Sequence, residues 1–217
     1  MILKTTITMV ILLFTVSAGS AEVDAKLLGR ISRGMVKIQR GAWYDCGDKL
    51  TIEEQHSKAV RIAYNVLKNE PSFSPWGVIG TMYNESRFDS CALGYYPRKW
   101  AYKNGLLMRR KTTISHSFED ILNVVTDKEA DNEYSMTGFD LGLCQILSRF
   151  YPNQEREMLS IARGVGICVG EMENRAARNK TKTPWLYWRG HAAEWYRTKI
   201  KRWVKRMGAT AEELREL

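Results

Sequence analysis

The stretch WGVIGTMYNESRFDSCALG, Trp76 to Gly94, contains one acid whose neighbours could make it a catalyst: Glu85, followed at once by Ser86. A carboxyl among apolar groups and away from other charges has its protonated form favoured and its pKa raised. It can then deliver a proton near neutral pH. Met82 precedes Glu85 by one helical turn, and Tyr83 and Phe88 flank it closely, so an apolar wall is expected around it. Ser86, small and polar, either lets a substrate approach or hydrogen-bonds locally. A Glu at a helix end can equally be a solvated residue with no chemistry. This stretch is compatible with both.

Two later segments bear on the choice. TGFDLGLCQILSRFYP carries Gly142-Leu143-Cys144-Gln145-Ile146, which reads as a glycine turn leading into a helix. TPWLYWRGHAAEW carries Tyr187 and Gly190 three residues apart. The pair "ES-x-F" and "G-L-x-Q-I" resembles the lysozyme-like superfamily of lytic transglycosylases and lysozymes, and "Y-W-R-G" resembles the "Y-N-x-G" motif of the transglycosylases. The resemblance covers about residues 74–94, 138–152 and 184–196. It implies that Glu85 is the acid/base, that Gln145 binds sugar from the cleft floor, and that the Tyr187 hydroxyl leans toward Glu85. Ser86, Gly142 and Asp140 complete the implied substrate-binding set. The sequence departs from the family pattern in two places. Trp188 stands where the family has Asn, and Glu85 and Gln145 are 60 residues apart, so roughly residues 95–136 read as an insertion, a lobe or lid over the sugar cleft.

What the resemblance implies chemically is cleavage of the β-1,4 bond between N-acetylmuramic acid and N-acetylglucosamine in peptidoglycan. Most glycosidases need two carboxylates. Transglycosylases of this type need one, because the sugar's own 6-hydroxyl attacks C1 and closes a 1,6-anhydro ring. Asp140, two residues before Gly142, resembles the second acid of animal-type lysozymes and keeps a hydrolytic muramidase open, with Glu85 and Asp140 as the pair. A third reading is a glycan-binding protein that does not cut. A fourth is a cationic membrane-active protein, resting on charge and on the basic amphipathic stretch WYRTKIKRWVKR.

Composition narrows the setting. The 217 residues suit one domain, with a formal net charge of +9. Lys4, the apolar run ITMVILLFTV and the small residues of SAGSA read as a signal peptide cleaved after Ala21. Its removal takes only Lys4 from the charge and leaves +8. Four cysteines, Cys46, Cys91, Cys144 and Cys168, suggest two disulfides in an oxidising compartment, with three pairings open; Cys46–Cys91 with Cys144–Cys168 is preferred. Basic charge on an exported chain points to an envelope polymer rather than nucleic acid. The expected location is periplasmic or extracellular, and the expected partners are peptidoglycan strands and an envelope or secretion-apparatus component. We expect a monomer with no cofactor. His56, His116 and His191 are scattered, without metal-ligand spacing, and Asp89 reads as structural.

The elements that must position these residues read as mostly helical, an α+β lysozyme-like arrangement with a small irregular or β-containing insert, over residues 22–217. Helical spacing runs from Val23 to Gln39. Thr51 with Glu54 forms a capping box for a helix to Lys68, and Ser74 with Pro75 opens another to Glu85. Phe118–Thr126, Gln154–Arg178 and Pro184–Met207 read as helices, and Thr210–Glu213 as a terminal cap. Trp195, Ile200 and Trp203 are expected to pack inward, and Tyr187 and Trp188 to face the cleft.

Overall fold

Asp24 starts the first helix by accepting from the backbone N–H groups of Lys26 and Leu27, at 2.8 and 3.0 Å. In the computed structural model, residues 22–39, 43–95, 102–103, 106–107, 117–126, 139–188 and 192–217 are described. The signal-peptide reading, His116, His191, Gly190 and most of the 95–136 insertion lie outside them.

Helix α1 (Ala25–Ile38) leads to a two-stranded hairpin, β1 (Tyr44–Asp45) and β2 (Asp48–Lys49). The hairpin turns through Cys46 and Gly47, at φ 50° and 91°, the paired left-handed residues of a tight primed turn. Helix α2 (Ile52–Lys68) begins with the reciprocal Thr51–Glu54 capping box. Helix α3 (Pro75–Ser86) has Pro75 in its first turn, but Ser74 makes no side-chain cap bond. Three strands that are not all consecutive in the chain, β3 (Leu93–Tyr95), β6 (Phe139–Leu141) and β7 (Ile146–Leu147), make one antiparallel sheet with β6 in the middle. The insertion therefore leaves and re-enters between two paired strands. Within it lie a second hairpin, β4 (Tyr102–Lys103) and β5 (Leu106–Leu107), and α4 (Phe118–Thr126). α4 packs on α5 (Glu155–Leu159), where the Arg156 guanidinium sits 5.1 Å from the Phe118 ring.

The expected single helix over 154–178 is two helices, α5 and α6 (Ile161–Asn179). Ser160 divides them in extended conformation, ψ 145°, and caps α6 by accepting from Arg163 N–H. The expected helix over 184–207 is a 3-10 turn at Pro184–Tyr187 followed by α7 (Glu194–Met207). A second capping box, Thr210 with Glu213, opens α8 (Ala211–Arg215). The fold is mostly α, with small antiparallel sheets of two and three strands. Disulfides Cys46–Cys91 and Cys144–Cys168 staple it, which fits an oxidising, extracytoplasmic compartment. Among the described residues no helix is long and apolar enough to cross a membrane.

The core is one cluster from Ile31 to Leu217, with α3 at its centre. Trp76 through Tyr83 are all buried, and a helix buried on every side must be apolar all round. α3 packs on α7, and α2 on both α1 and α6. Two glycines allow the close approach: a Cβ at Gly77 would overlap the Trp185 ring, and one at Gly80 would fall 2.6 Å from Ile200 Cγ2. Gly77→Ala should therefore lower unfolding free energy by about 2–3 kcal/mol, the cost of overpacking a tight core, measured by denaturant titration against wild type.

Candidate functional site

Glu85 lies in the last turn of α3, partly buried. Beyond it the chain turns through two consecutive left-handed residues, Arg87 (φ 57°) and Phe88 (φ 64°). For an aromatic residue this conformation costs on the order of 1–3 kcal/mol and persists only where surroundings dictate it. Those surroundings are visible. Phe88 is fully buried, its ring 5.4 Å from that of Tyr83 and 5.8 Å from that of Trp43. The Arg87 guanidinium stacks 4.3 Å from Tyr83 and 5.1 Å from Trp203. The helix end that carries Glu85 is thus clamped from both sides.

Ser86 is buried and engaged. Its hydroxyl donates to Leu143 O at 2.8 Å, with Met82 O at 3.0 Å sharing the proton, and accepts from Phe88 N–H at 3.1 Å. It ties α3 to the β6–β7 turn and has no donor left for a sugar, so its place is beneath the site rather than in it. That turn is the GLCQ segment. It leads from strand to strand, not into a helix, because Gly142 at φ 70° and Gln145 at φ 50° reverse the chain. Gly142 also has no room for a side chain, since a Cβ would overlap Met158 O. Its role is to shape the turn.

Asp140 on β6 and Gln145 in the β6–β7 turn both approach Gly94 of β3. Asp140 pairs with Gly94 across β6 and β3. A Cβ added to Gly94 would fall 2.6 Å from Gln145 Oε1 and 3.6 Å from Asp140 Oδ2. Both side chains therefore close over the bare face of Gly94, which the sequence reading had not singled out. Gln145 Nε2 donates to Ala92 O at 2.8 Å and to Gly142 O at 3.2 Å. The amide nitrogen is thus held by the backbone, and Oε1 lies over Gly94.

The hydroxyl that meets Glu85 belongs to Tyr196 on α7, not to Tyr187. Tyr196 is fully buried and donates to Glu85 Oε1 at 2.6 Å, and Asn84 Nδ2 donates to the same oxygen at 3.0 Å. Tyr187 lies on the 3-10 turn, where its carbonyl accepts from Arg175 Nη1 at 2.6 Å. Trp188, expected to face the cleft, is buried with the Arg175 guanidinium 4.9 Å from its ring. Arg175 is itself paired with Glu171. A usable signal for Tyr196 was present: Tyr196, Ile200, Val204 and Met207 recur at helical spacing and form the buried stripe of α7. A tyrosine on such a stripe needs a polar partner for its hydroxyl.

The Tyr196 bond gives a test. Tyr196→Phe should reduce any activity of Glu85 about tenfold or more, the usual worth of a hydrogen bond to a charged group, whereas Tyr187→Phe should change it less than about threefold. Initial rates on one substrate preparation decide between the two tyrosines.

One grouping of possible metal ligands occurs among the described residues: Asp45, Cys46 and Asp89. It suits no ion, because Cys46 sulfur is in a disulfide and the Lys58 ammonium is already paired with Asp45. No protein-family model, curated protein or solved structure matches this chain.

Proposed function

We propose that the chain is a peptidoglycan lytic transglycosylase with Glu85 as its single acid/base. The observation that carries the reading is the short Tyr196–Glu85 hydrogen bond at the clamped end of a buried helix, which the next residue, Ser86, ties to the turn that holds Gln145. A carboxyl fixed by two donors on Oε1 is held in one rotamer, which proton transfer at a defined atom requires. In the proposed reaction the Glu85 carboxyl protonates the glycosidic oxygen and the C1–O bond breaks. The resulting carboxylate takes the proton from the muramic acid 6-hydroxyl as that oxygen bonds to C1. The bond count balances without water. Glu85 ends protonated, ready for the next linkage.

Gln145 is proposed to hold the sugar from the sheet side, with the basic surface favouring an anionic envelope polymer. The proposed setting is the cell envelope. The second reading, hydrolysis, is favoured by one observation: Asp140 shares the Gly94 face with Gln145, where a second carboxylate could act.

Products separate the two. Mass spectrometry of digested sacculi should show 1,6-anhydro-muramic ends, and reducing ends would replace them in a hydrolase. Asp140→Asn should keep activity within about threefold of wild type. A loss of about 100-fold or more would assign Asp140 the part of a catalytic partner and support the hydrolase.

A further inference from the structure

Trp195 does not pack inward. It is 58% exposed, an unusual position for the largest apolar side chain. It sits in the first turn of α7, beside Tyr196, whose ring centroid is 5.5 Å from its own at an interplanar angle of 79°. The neighbouring tyrosine is fully buried and bonded to Glu85. The exposed indole is therefore braced edge-to-face against the same ring that orients the candidate acid, and one residue links the two.

From this juxtaposition we infer that Trp195 is a glycan-stacking platform next to the reaction centre, taking the apolar face of a pyranose ring of the bound strand. The inference rests on the proposed glycan-cleaving function and names the residue that would set affinity for its substrate. A pyranose ring has one face of C–H bonds and a polar rim, so a flat apolar surface with water at its edges matches it. An indole already held by Tyr196 loses little conformational freedom on stacking, which favours binding. A charge nearby suits the same ligand. Lys199 follows Trp195 by one turn on α7, and an anionic strand lying across Trp195 would meet it. Trp188 cannot serve, since its ring is buried against Arg175.

The test compares wild type, Trp195→Ala and Trp195→Phe on solubilised peptidoglycan strands, with pelleting on intact sacculi in a Glu85→Gln background. For Trp195→Ala we expect KM to rise about tenfold with kcat within twofold, as for loss of uniform binding. Pelleting should weaken in proportion. Trp195→Phe, which keeps a ring, should recover at least half of the lost affinity, and melting temperatures should match wild type because the residue is exposed. If Trp195→Ala keeps wild-type KM and pelleting in an active enzyme, stacking is wrong while the glycan-cleaving reading stands. If kcat falls and KM does not, Trp195 acts by bracing Tyr196 and the platform is again refuted. If wild type neither cleaves nor pellets with glycan, the functional reading fails and the platform fails with it.

Discussion

Glu85→Gln should leave purified peptidoglycan uncleaved, with the rate of turbidity loss lower by about 100- to 10,000-fold, the range for removing a positioned general acid. The substitution is nearly isosteric. Its carbonyl oxygen can still accept from Tyr196 Oη and Asn84 Nδ2, which now meet at Glu85 Oε1. The fold should consequently be unaffected, and an unchanged melting temperature is part of the expectation. What the amide lacks is a proton to give to the leaving oxygen and a carboxylate to take one from the 6-hydroxyl. Equal clearing by wild type and variant would remove Glu85 from the mechanism. Failure of both to clear would remove the activity.

The second large effect is on stability. Lys58 is 4% exposed and Asp89 7%, in a cluster that also includes Asp45. The Lys58 ammonium pairs with Asp45 and lies 5.7 Å from the Trp43 ring. Burial pushes the Lys58 ammonium's pKa down, with Asp45 opposing the shift. Burial pushes the Asp89 carboxyl up, opposed by the N–H groups of Cys46 and Cys91 and by the Lys58 charge. Asp45 also accepts from Ser90 N–H and Oγ, at 2.9 and 2.6 Å.

Removing one partner of such a buried pair leaves an uncompensated charge, costing about 3–5 kcal/mol. Lys58→Met should lower the melting temperature by about 10 °C in a chain of this size. The deficit should depend on pH in a stated direction. A carboxyl whose native pKa exceeds its unfolded value binds its proton more tightly when folded. It favours folding at pH below the unfolded value and loses that contribution as pH rises through the native one. Without Lys58 the Asp89 carboxyl rises further. The variant should therefore recover stability relative to wild type as pH falls from 7 toward about 4, the unfolded carboxylate range. Denaturant midpoints for both proteins across that interval check it, and a deficit constant with pH would show that Lys58 acts through packing.

How far these sites could be read in advance differs residue by residue. Thr51 with Glu54, and Thr210 with Glu213, were legible as capping boxes because a cap is completed within three residues and needs nothing else. Glu85 was legible as a helix-end acid for the same reason: Pro75 starts α3 and the apolar run up to Met82 carries it. Ser160 was not legible as a helix break. Its side chain caps α6 where Gly164, lacking a Cβ, approaches Met158 O of α5, a contact between two helices that local propensity does not reveal.

The site divides in the same way. From the sequence alone came a mostly helical chain, an acid at the end of a buried helix, an even set of cysteines in which the observed pairing was preferred among three, and Asp140 and Gln145 on either side of a glycine turn. These depend on interactions a few residues long or on the chemistry of single side chains. The tertiary structure alone decided that Tyr196 rather than Tyr187 reaches Glu85, that Ser86 and Trp188 are buried, and that Trp195 is exposed. The first and the last follow from how α7 is rotated and seated against α3, whereas Ser86 is bonded to the β6–β7 turn and Trp188 lies against Arg175 of α6. That seating is set by Ile200 and Val204 entering the space Gly80 leaves open, while Trp185 fills the one at Gly77. Helical periodicity places Tyr196 on the apolar stripe of α7 with Ile200, Val204 and Met207, but it does not say which polar group that stripe meets. Only the packing of α7 on α3 brings the Glu85 carboxyl to the Tyr196 hydroxyl.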